Sequence, residues 1–203
     1  MSPRCRVIVM AKAPLAGLAK TRLIPALGAD GAALLAARLL QHALEQAQQA
    51  GLGPVELCAA PDARHPGFAR WAAWPDLTLS DQGEGDLGQR MARALERALL
   101  THPAAILIGS DAPALDAAML QAAAAALHTH DTVFVPALDG GYALVGLRRP
   151  IAALFDAMPW STPLVMQRSR ERLAAVGASH LELAPVADID VPADLVHLPA
   201  GWV

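Results

Sequence analysis

The chain has 203 residues, a length typical of one compact domain that buries about 70% of the surface exposed by its unfolded form. Its composition is 54% hydrophobic but only 4% aromatic, so Ala, Leu, Val and Ile must build most of the core. The formal net charge of −3 argues against general binding to nucleic acid or to an anionic membrane surface, because both require a broad basic field.

Short apolar segments alternate with longer helical segments, a pattern typical of a mostly parallel sheet covered by helices on both faces. The segments predicted as strands are 4–11, 55–60, 77–79, 104–108, 132–136, 142–147 and 180–183. The segments predicted as helices are 28–50, 87–100, 116–128 and 163–176. Asp86 and Thr162 are predicted to cap the second and fourth helices. No repeat or linker is visible, so we expect a single α/β domain over residues 1–203.

The cysteine pattern and the apolar runs predict a cellular location. Cys5 and Cys58 both fall in predicted core strands and are typical of small buried hydrophobes in a reducing compartment. Arg4 and Arg6 precede an apolar run that is too short for a signal peptide. No uncharged apolar stretch reaches the roughly 18 residues of a membrane span. We therefore expect a cytoplasmic protein without a membrane-spanning segment.

The loop after the first strand concentrates positive charge. It contains Lys12, Lys20 and Arg22, and no acidic residue occurs before Asp30. Ligands of open α/β sheets bind at the carboxyl ends of strands, and backbone N–H groups and cationic side chains hold phosphates. The loop therefore predicts a polyphosphate-binding site, although its spacing is neither that of a P-loop nor G-x-G-x-x-G. The alternative is a surface loop with solvated cations.

Two acidic segments are candidate metal ligands. The predicted strand 104–108 is followed by Gly109, Ser110 and Asp111, and a carboxylate just past a buried strand can bind Mg²⁺ together with phosphate oxygens. Near the end of the chain, Asp188 and Asp190 occupy alternate positions and point the same way if the segment is extended. The alternatives are a helix cap at Asp111 and a solvated acidic turn near the end of the chain.

Two glycine-containing loops are candidate ligand contacts. Asp139, Gly140 and Gly141 join two predicted strands, and paired glycines permit positive φ or close approach of a ligand. A plain hairpin turn is the competing interpretation.

Residues 81–91 form the second such loop, with Gly83 and Gly85 before a helix. Its backbone is predicted to contact a base or an acceptor, or else only to cap the helix. Trp160, just before the fourth helix, is a candidate pocket wall.

These blocks together resemble the nucleotide-diphospho-sugar transferase superfamily, which has a glycosyltransferase-A-like fold. More narrowly, the chain resembles a bacterial family of selenodomain-associated transferases or glycosyltransferases, and its first loop is similar to that of 2-phospholactate guanylyltransferases. The matching blocks lie at 11–23, 83–91, 108–113, 138–142, 159–163 and 188–195. The resemblance implies a transferase with a three-layer α/β/α sandwich and a mostly parallel, mixed sheet.

The resemblance also implies a set of site residues and a divalent cation, Mg²⁺ or Mn²⁺. The implied metal ligands are Asp111 and Asp190, since the chain has a single acid in Ser110-Asp111-Ala112 where many relatives have Asp-x-Asp. The residues expected to bind nucleotide are Lys12, Ala13, Pro14, Gly17, Lys20, Thr21, Arg22, Gly83, Gly85 and Ser110. The residues expected to bind the acceptor are Asp139, Gly140, Gly141 and Trp160.

Two reactions suit this fold. In nucleotidyl transfer a small phosphorylated acceptor attacks a nucleoside triphosphate, and Lys20, Arg22 and Asp111 are the expected catalytic residues. In glycosyl transfer an acceptor hydroxyl attacks a nucleotide sugar, and Asp139 is a candidate general base. The three cations of the first loop favour the triphosphate. A third alternative is a non-catalytic nucleotide-binding domain, which would need neither the cationic loop nor Asp111.

Overall fold

The computed structural model describes residues 5–202, and one seven-stranded sheet lies at its centre. In chain order the strands are β1 Cys5–Lys12, β2 Val55–Ala60, β3 Leu77–Asp81, β4 Ala104–Gly109, β5 Thr132–Pro136, β6 Tyr142–Leu147 and β7 His180–Glu182. Their order across the sheet is β3-β2-β1-β4-β6-β5-β7. The predicted start of the first strand, at residue 4, lies outside the described residues.

The sheet is parallel except at one strand. Strand β6 runs antiparallel to both of its neighbours, β4 and β5, and all the other pairs are parallel. The predicted mostly parallel, mixed sheet is therefore confirmed. Every strand except β6 runs in one direction, so the carboxyl ends of six strands share one edge. Ligands of open α/β sheets bind at such an edge.

Helices cover both faces of the sheet. They are α1 Ile24–Gln49, α2 Leu87–Leu99, α3 Ala117–Ala126 and α4 Val165–Ala175. One apolar cluster joins α1 and α3 to one face, and a second joins α2 and α4 to the other. Side chains of β1 alternate between them, with Val7 and Val9 in the first cluster and Ile8 and Met10 in the second. This arrangement is the predicted three-layer α/β/α sandwich.

Of the two predicted helix caps, Asp86 is confirmed and Thr162 is not. The Asp86 carboxylate accepts a hydrogen bond from the Gln89 backbone N–H at 2.9 Å, and the Gln89 side chain accepts one from the Asp86 backbone at 3.0 Å. This reciprocal pair is a capping box. The prediction that α4 starts at Pro163 is wrong by two residues. The Thr162 hydroxyl donates to the Pro159 carbonyl at 2.7 Å and thereby holds a turn before the helix.

Helix α1 is long and apolar. With the helical turn before it, the segment Thr21–Gln49 has the length and composition to cross a membrane. The core helix of a globular domain passes the same test, and Leu35, Leu39 and Leu44 of α1 are buried. In the structure, α1 packs against the sheet through its apolar side chains and belongs to one helical layer of the sandwich.

A buried carboxylate of β2 is linked to β1, β3 and α2. Glu56 of β2 is 2% exposed, and it accepts hydrogen bonds from Arg6 Nε at 2.7 Å and from the Ser80 hydroxyl at 2.5 Å. The Arg97 guanidinium of α2 also pairs with it. Burial raises the pKa of Glu56, but the bonds from Ser80 and Arg97 outweigh that effect and hold the pKa below its ordinary value.

Candidate functional site

The loop after β1 directs Lys20 into the protein. Gly17 has a φ of 78°, and Lys20 has a φ of 48° and a ψ of 44°, which is a left-handed conformation that residues other than glycine rarely adopt. The loop closes through a hydrogen bond from the Ala19 N–H to the Leu15 carbonyl at 2.9 Å. The Lys20 side chain is only 7% exposed. An ammonium group with so little contact to water requires partners inside the protein.

Those partners complete a group of four charged side chains, termed here the ion cluster: Lys20, Arg22, Asp111 and Asp190. The Lys20 ammonium lies 2.9 Å from Asp111 Oδ1 and 3.9 Å from Asp190 Oδ1, and it donates to the Ile189 carbonyl at 2.5 Å. Arg22 Nη1 donates to Asp190 Oδ2 at 2.6 Å. Both carboxylates are about half exposed. Residues from the beginning, middle and end of the chain therefore converge at the carboxyl edge of the sheet.

Main-chain contacts fix the position of Asp190. The Ile189 N–H donates to the Asp111 carbonyl at 2.9 Å. Asp194 Oδ2 accepts from the backbone N–H groups of Asp190 at 2.8 Å and of Val191 at 2.7 Å. The Ile189 side chain is completely buried in an apolar cluster with α1. Asp190 is thus attached both to the Asp111 loop and to the helix that follows the first loop.

A cleft of about 300 Å³ opens beside the ion cluster and is termed the acidic cleft. Four carboxylates line it, and they belong to Asp111, Asp139, Asp188 and Asp190. Its lining also includes an apolar set, termed here the apolar wall: Leu87, Met91, Tyr142, Ala143, Trp160 and Val165. A second hollow, of about 290 Å³, shares Asp139, Asp188 and Asp190 with the acidic cleft and also contains Arg22 and His197. The cationic side chain of Arg22 therefore faces the second hollow.

The acidic cleft concentrates negative charge. Burial raises the pKa of Asp188, and the neighbouring carboxylates of Asp139, Asp194 and Asp111 raise it further. A site with this property attracts cations.

Two aromatic rings stiffen the apolar wall. Trp160 and Tyr142 make an edge-to-face contact with ring centroids 6.3 Å apart and planes at 86°. The Tyr142 hydroxyl contacts the Met91 sulfur at 3.9 Å, and burial raises the pKa of this tyrosine. The Trp160 indole nitrogen is buried and has no hydrogen-bond partner within residues 5–202.

The loop between β3 and α2 is tied to the end of β1. Gly83 and Gly85 both have positive φ, 74° and 103°. The buried Gln82 side chain donates to the Ala11 carbonyl at 3.1 Å, and Arg93 donates to the Gln82 carbonyl at 2.5 Å. The two loops predicted to bind nucleotide are therefore physically connected.

The other residues predicted to bind nucleotide lie on the first loop or beside Asp111. None of the first-loop residues predicted to bind nucleotide lines the acidic cleft: Lys12, Ala13, Pro14, Gly17, Lys20, Thr21 and Arg22. Lys12 and Thr21 are exposed, whereas Ala13 is buried. The Ser110 hydroxyl donates to Asp111 Oδ1 at 3.1 Å and so orients that carboxylate.

Three of the four residues predicted to bind the acceptor line the acidic cleft: Asp139, Gly141 and Trp160. Gly140 is not among its lining residues. It has a φ of 92°, its carbonyl accepts from the Met166 N–H at 2.9 Å, and a Cβ at this position would collide with the Pro163 backbone. Gly140 therefore joins the loop to the start of α4.

Sequence reasoning assigned no role to Asp194, Gln82 or Tyr142. It did place Asp188 beside Asp190 in a candidate metal-binding segment, and their alternate spacing was a usable signal, because both carboxylates line the acidic cleft. Gln82 and Asp194 act through hydrogen bonds to main-chain atoms, which no residue pattern reveals.

The donor atoms of the ion cluster suit a hard divalent cation. No group of three or more His, Cys, Asp or Glu side chains in the described part of the chain is placed to hold a metal ion alone. However, oxygen atoms of Asp111, Ile189 and Asp190 already surround the positive charge of Lys20. Mg²⁺ commonly takes one or two carboxylates and completes its shell with substrate phosphates and water. The residues present fit such an ion.

Comparison with solved structures shows what the chain is similar to. A provisionally named nucleotide-diphospho-sugar transferase from Desulfovibrio desulfuricans G20 is 30% identical, with a TM-score of 0.87 over 95% of this chain and 85% of that chain. A CMP:2-keto-3-deoxy-manno-octonic acid synthetase complexed with CTP is 12% identical, with a TM-score of 0.61 over 96% of both chains. Rv0371c of Mycobacterium tuberculosis H37Rv in complex with manganese is 18% identical, with a TM-score of 0.51 over 97% and 98% of the two chains.

The last two similarities show a shared fold alone, while the first shows relationship. It confirms the predicted superfamily, its fold and the predicted class of enzyme, a transferase. No curated protein matches the chain. Residues 27–162 match the profile of a family described as uncharacterized protein conserved in bacteria, DUF2064. This match covers more than half of the sequence, and the chain belongs to that family.

Proposed function

We propose that the protein is a nucleotidyltransferase assisted by a divalent cation, which transfers the nucleotidyl group of a nucleoside triphosphate to a small acceptor and releases pyrophosphate. The ion cluster is the observation that carries this proposal. Lys20 and Arg22 meet the carboxylates of Asp111 and Asp190 at the edge where α/β sheets bind ligands. A triphosphate carries more negative charge than a nucleotide sugar, and two adjacent cationic side chains match that charge.

The roles of the side chains follow from their charges. Asp111 and Asp190 would hold Mg²⁺ or Mn²⁺, which when bound neutralises phosphate charge and polarises phosphoryl oxygens. Lys20 and Arg22 bind the phosphates that depart as pyrophosphate, where negative charge increases in the transition state. Each such contact is worth about 3 kcal/mol when it forms mainly in the transition state. The backbone of the first loop and of the loop at Gly83 binds the rest of the nucleotide.

Lys20 has a second role before substrate binds. Together with the Arg22 guanidinium, its ammonium balances the charge of the two carboxylates, which would otherwise repel each other at the cluster. Once those carboxylates bind a divalent cation, the Lys20 side chain is free to contact phosphate. In this proposal, the buried lysine and the cation share the same carboxylate partners in turn.

A second candidate is glycosyl transfer from a nucleotide sugar. The observation that favours it is Asp139, a carboxylate in the acidic cleft that is suited to accept a proton from an acceptor hydroxyl. The name of the 30% identical relative is consistent with either donor.

Thermal unfolding with a panel of nucleotides separates the two candidates. Saturation at about 100 times Kd stabilises the folded protein by about 2.7 kcal/mol, which for a chain of this length raises Tm by about 5–10 °C. Nucleotidyl transfer predicts the largest increase with a nucleoside triphosphate and Mg²⁺, and a small one without Mg²⁺. A larger increase with a nucleotide sugar than with any triphosphate contradicts the proposal and favours glycosyl transfer. Nucleoside monophosphates with Mg²⁺ serve as the control for binding of the base alone.

A further inference from the structure

The charge of the acidic cleft points to a class of acceptor. Four of its lining side chains are carboxylates, and among the described residues that line it there is no Lys, Arg or His. The nearest cations, Lys20 and Arg22, are engaged with Asp111 and Asp190, and Arg22 faces the second hollow. A phosphate or carboxylate group entering the cleft would meet like charges and no cationic side chain.

The apolar wall offers a surface for an uncharged ring or chain. Trp160 and Tyr142 are held edge to face, and Met91 and Val165 lie on the same wall. Aromatic faces and aliphatic groups pack against the C–H face of a ring, while carboxylates accept hydrogen bonds from hydroxyl groups. Ser161 and Thr162, which also line the cleft, are neutral polar residues.

We infer that the acceptor is an uncharged hydroxyl compound, such as a sugar or another alcohol with an apolar face, and that it enters the acidic cleft without a phosphate of its own. This inference rests on the proposed function and names its second substrate. It differs from the phosphorylated acceptor expected from the sequence, because a phosphate requires cationic partners, the cleft is lined by no cationic side chain, and the divalent cation proposed at Asp111 and Asp190 is already bound to the triphosphate.

A hydroxyl acceptor also gives the cleft carboxylates a chemical role. The acceptor oxygen forms a bond to the α-phosphorus, the bond from that phosphorus to the bridging oxygen breaks, and pyrophosphate departs with the bonding pair. The hydroxyl proton passes to Asp139, whose Oδ1 is held by the Gly141 N–H at 2.8 Å. An acceptor phosphate would have no such proton to lose at neutral pH.

Matched pairs of probes test this inference: glycerol against glycerol 3-phosphate, and glucose against glucose 1-phosphate. Saturation-transfer NMR measures the affinity of each probe for the full chain, with and without Mg²⁺ and the triphosphate that stabilises it most. We expect the neutral member of a pair to bind at least tenfold more tightly than the phosphorylated member. Trp160→Leu is expected to weaken binding of the neutral member at least threefold, which locates it in the cleft.

The double variant Asp139→Asn and Asp188→Asn is expected to reduce the preference for the neutral probe over the phosphorylated probe at least threefold. Asp30→Asn, on the exposed surface of α1, is the matched control and should leave the preference unchanged. Equal or tighter binding of the phosphorylated members overturns the inference. So does a neutral probe that binds Trp160→Leu as tightly as it binds the wild type. The measurement without nucleotide keeps the two proposals separate, because the preference for neutral probes persists there even if no triphosphate binds.

Discussion

Replacement of Lys20 by Met tests the competition between the lysine and a divalent cation. Methionine keeps most of the length of the side chain but removes the ammonium, which lies 2.9 Å from Asp111 and 3.9 Å from Asp190. Two unit charges about 4 Å apart interact by about 1 kcal/mol in water and by about 4 kcal/mol at the dielectric of a protein surface. Because both carboxylates are half exposed, the lower part of this range applies.

The expected result has two opposite parts. Without nucleotide, Lys20→Met should bind Mn²⁺ about tenfold more tightly than the wild type, which corresponds to about 1.4 kcal/mol. With nucleotide, the variant should bind a triphosphate about tenfold to a hundredfold more weakly, because it lacks a phosphate contact worth about 2 kcal/mol. Water-proton relaxation measures Mn²⁺ binding, and calorimetry measures nucleotide binding.

Lys12→Met is the matched control for Mn²⁺ binding, because Lys12 is the other lysine of the chain and is exposed at the start of the same loop. It should leave the Mn²⁺ affinity within about twofold of the wild type. A Lys20→Met protein that folds normally but binds Mn²⁺ no more tightly than the wild type would refute the claim that Lys20 and the cation compete for the same carboxylates. Equal losses of triphosphate and monophosphate affinity would show that Lys20 does not contact the terminal phosphates.

Other predictions concern the supports of the fold and of the site. Glu56→Gln should lower the free energy of unfolding in urea by about 3 kcal/mol, because it leaves Arg97 without its buried partner. The pKa of Glu56 lies below its ordinary value in the folded protein, so its contribution is complete above about pH 4.3 and is lost as the pH falls further. The difference in stability between wild type and Glu56→Gln should therefore shrink in acid, and a constant difference down to pH 3 would contradict this. Asp194→Ala should weaken Mg²⁺-dependent triphosphate binding about fivefold by releasing the backbone of Asp190, with a loss of stability of only about 1 kcal/mol; unchanged binding would show that Asp194 does not position the cluster.

Patterns that depend on neighbouring residues could be predicted from the sequence. The β-branched run of β1 and the buried segment of β4 predict parallel strands, and Asp86 predicts the start of α2. Because the carboxyl ends of parallel strands meet at the same edge of a sheet, the first loop after β1 and Asp111 after β4 are expected to lie close together.

Contacts between distant parts of the chain could not be predicted in this way. The hydrogen bond from Lys20 to the Ile189 carbonyl joins residues 169 positions apart, and the left-handed backbone of Lys20 has no signature in its residue type. Likewise, the absence of cationic side chains among the residues described for the acidic cleft depends on which loops meet there. Sequence reasoning identified Asp139 and Trp160 but not the charge of the space between them.

Calorimetric titration with and without Mg²⁺, on the wild type and on Asp111→Asn, tests the central claim most directly. Asparagine preserves the size of the side chain and removes the charge that faces Lys20. We predict that Mg²⁺ strengthens triphosphate binding at least tenfold in the wild type and by less than twofold in the variant, with the same Tm for both proteins without ligand to within about 3 °C. Equal strengthening by Mg²⁺ in the two proteins would contradict the claim that Asp111 holds a divalent cation for a nucleotide.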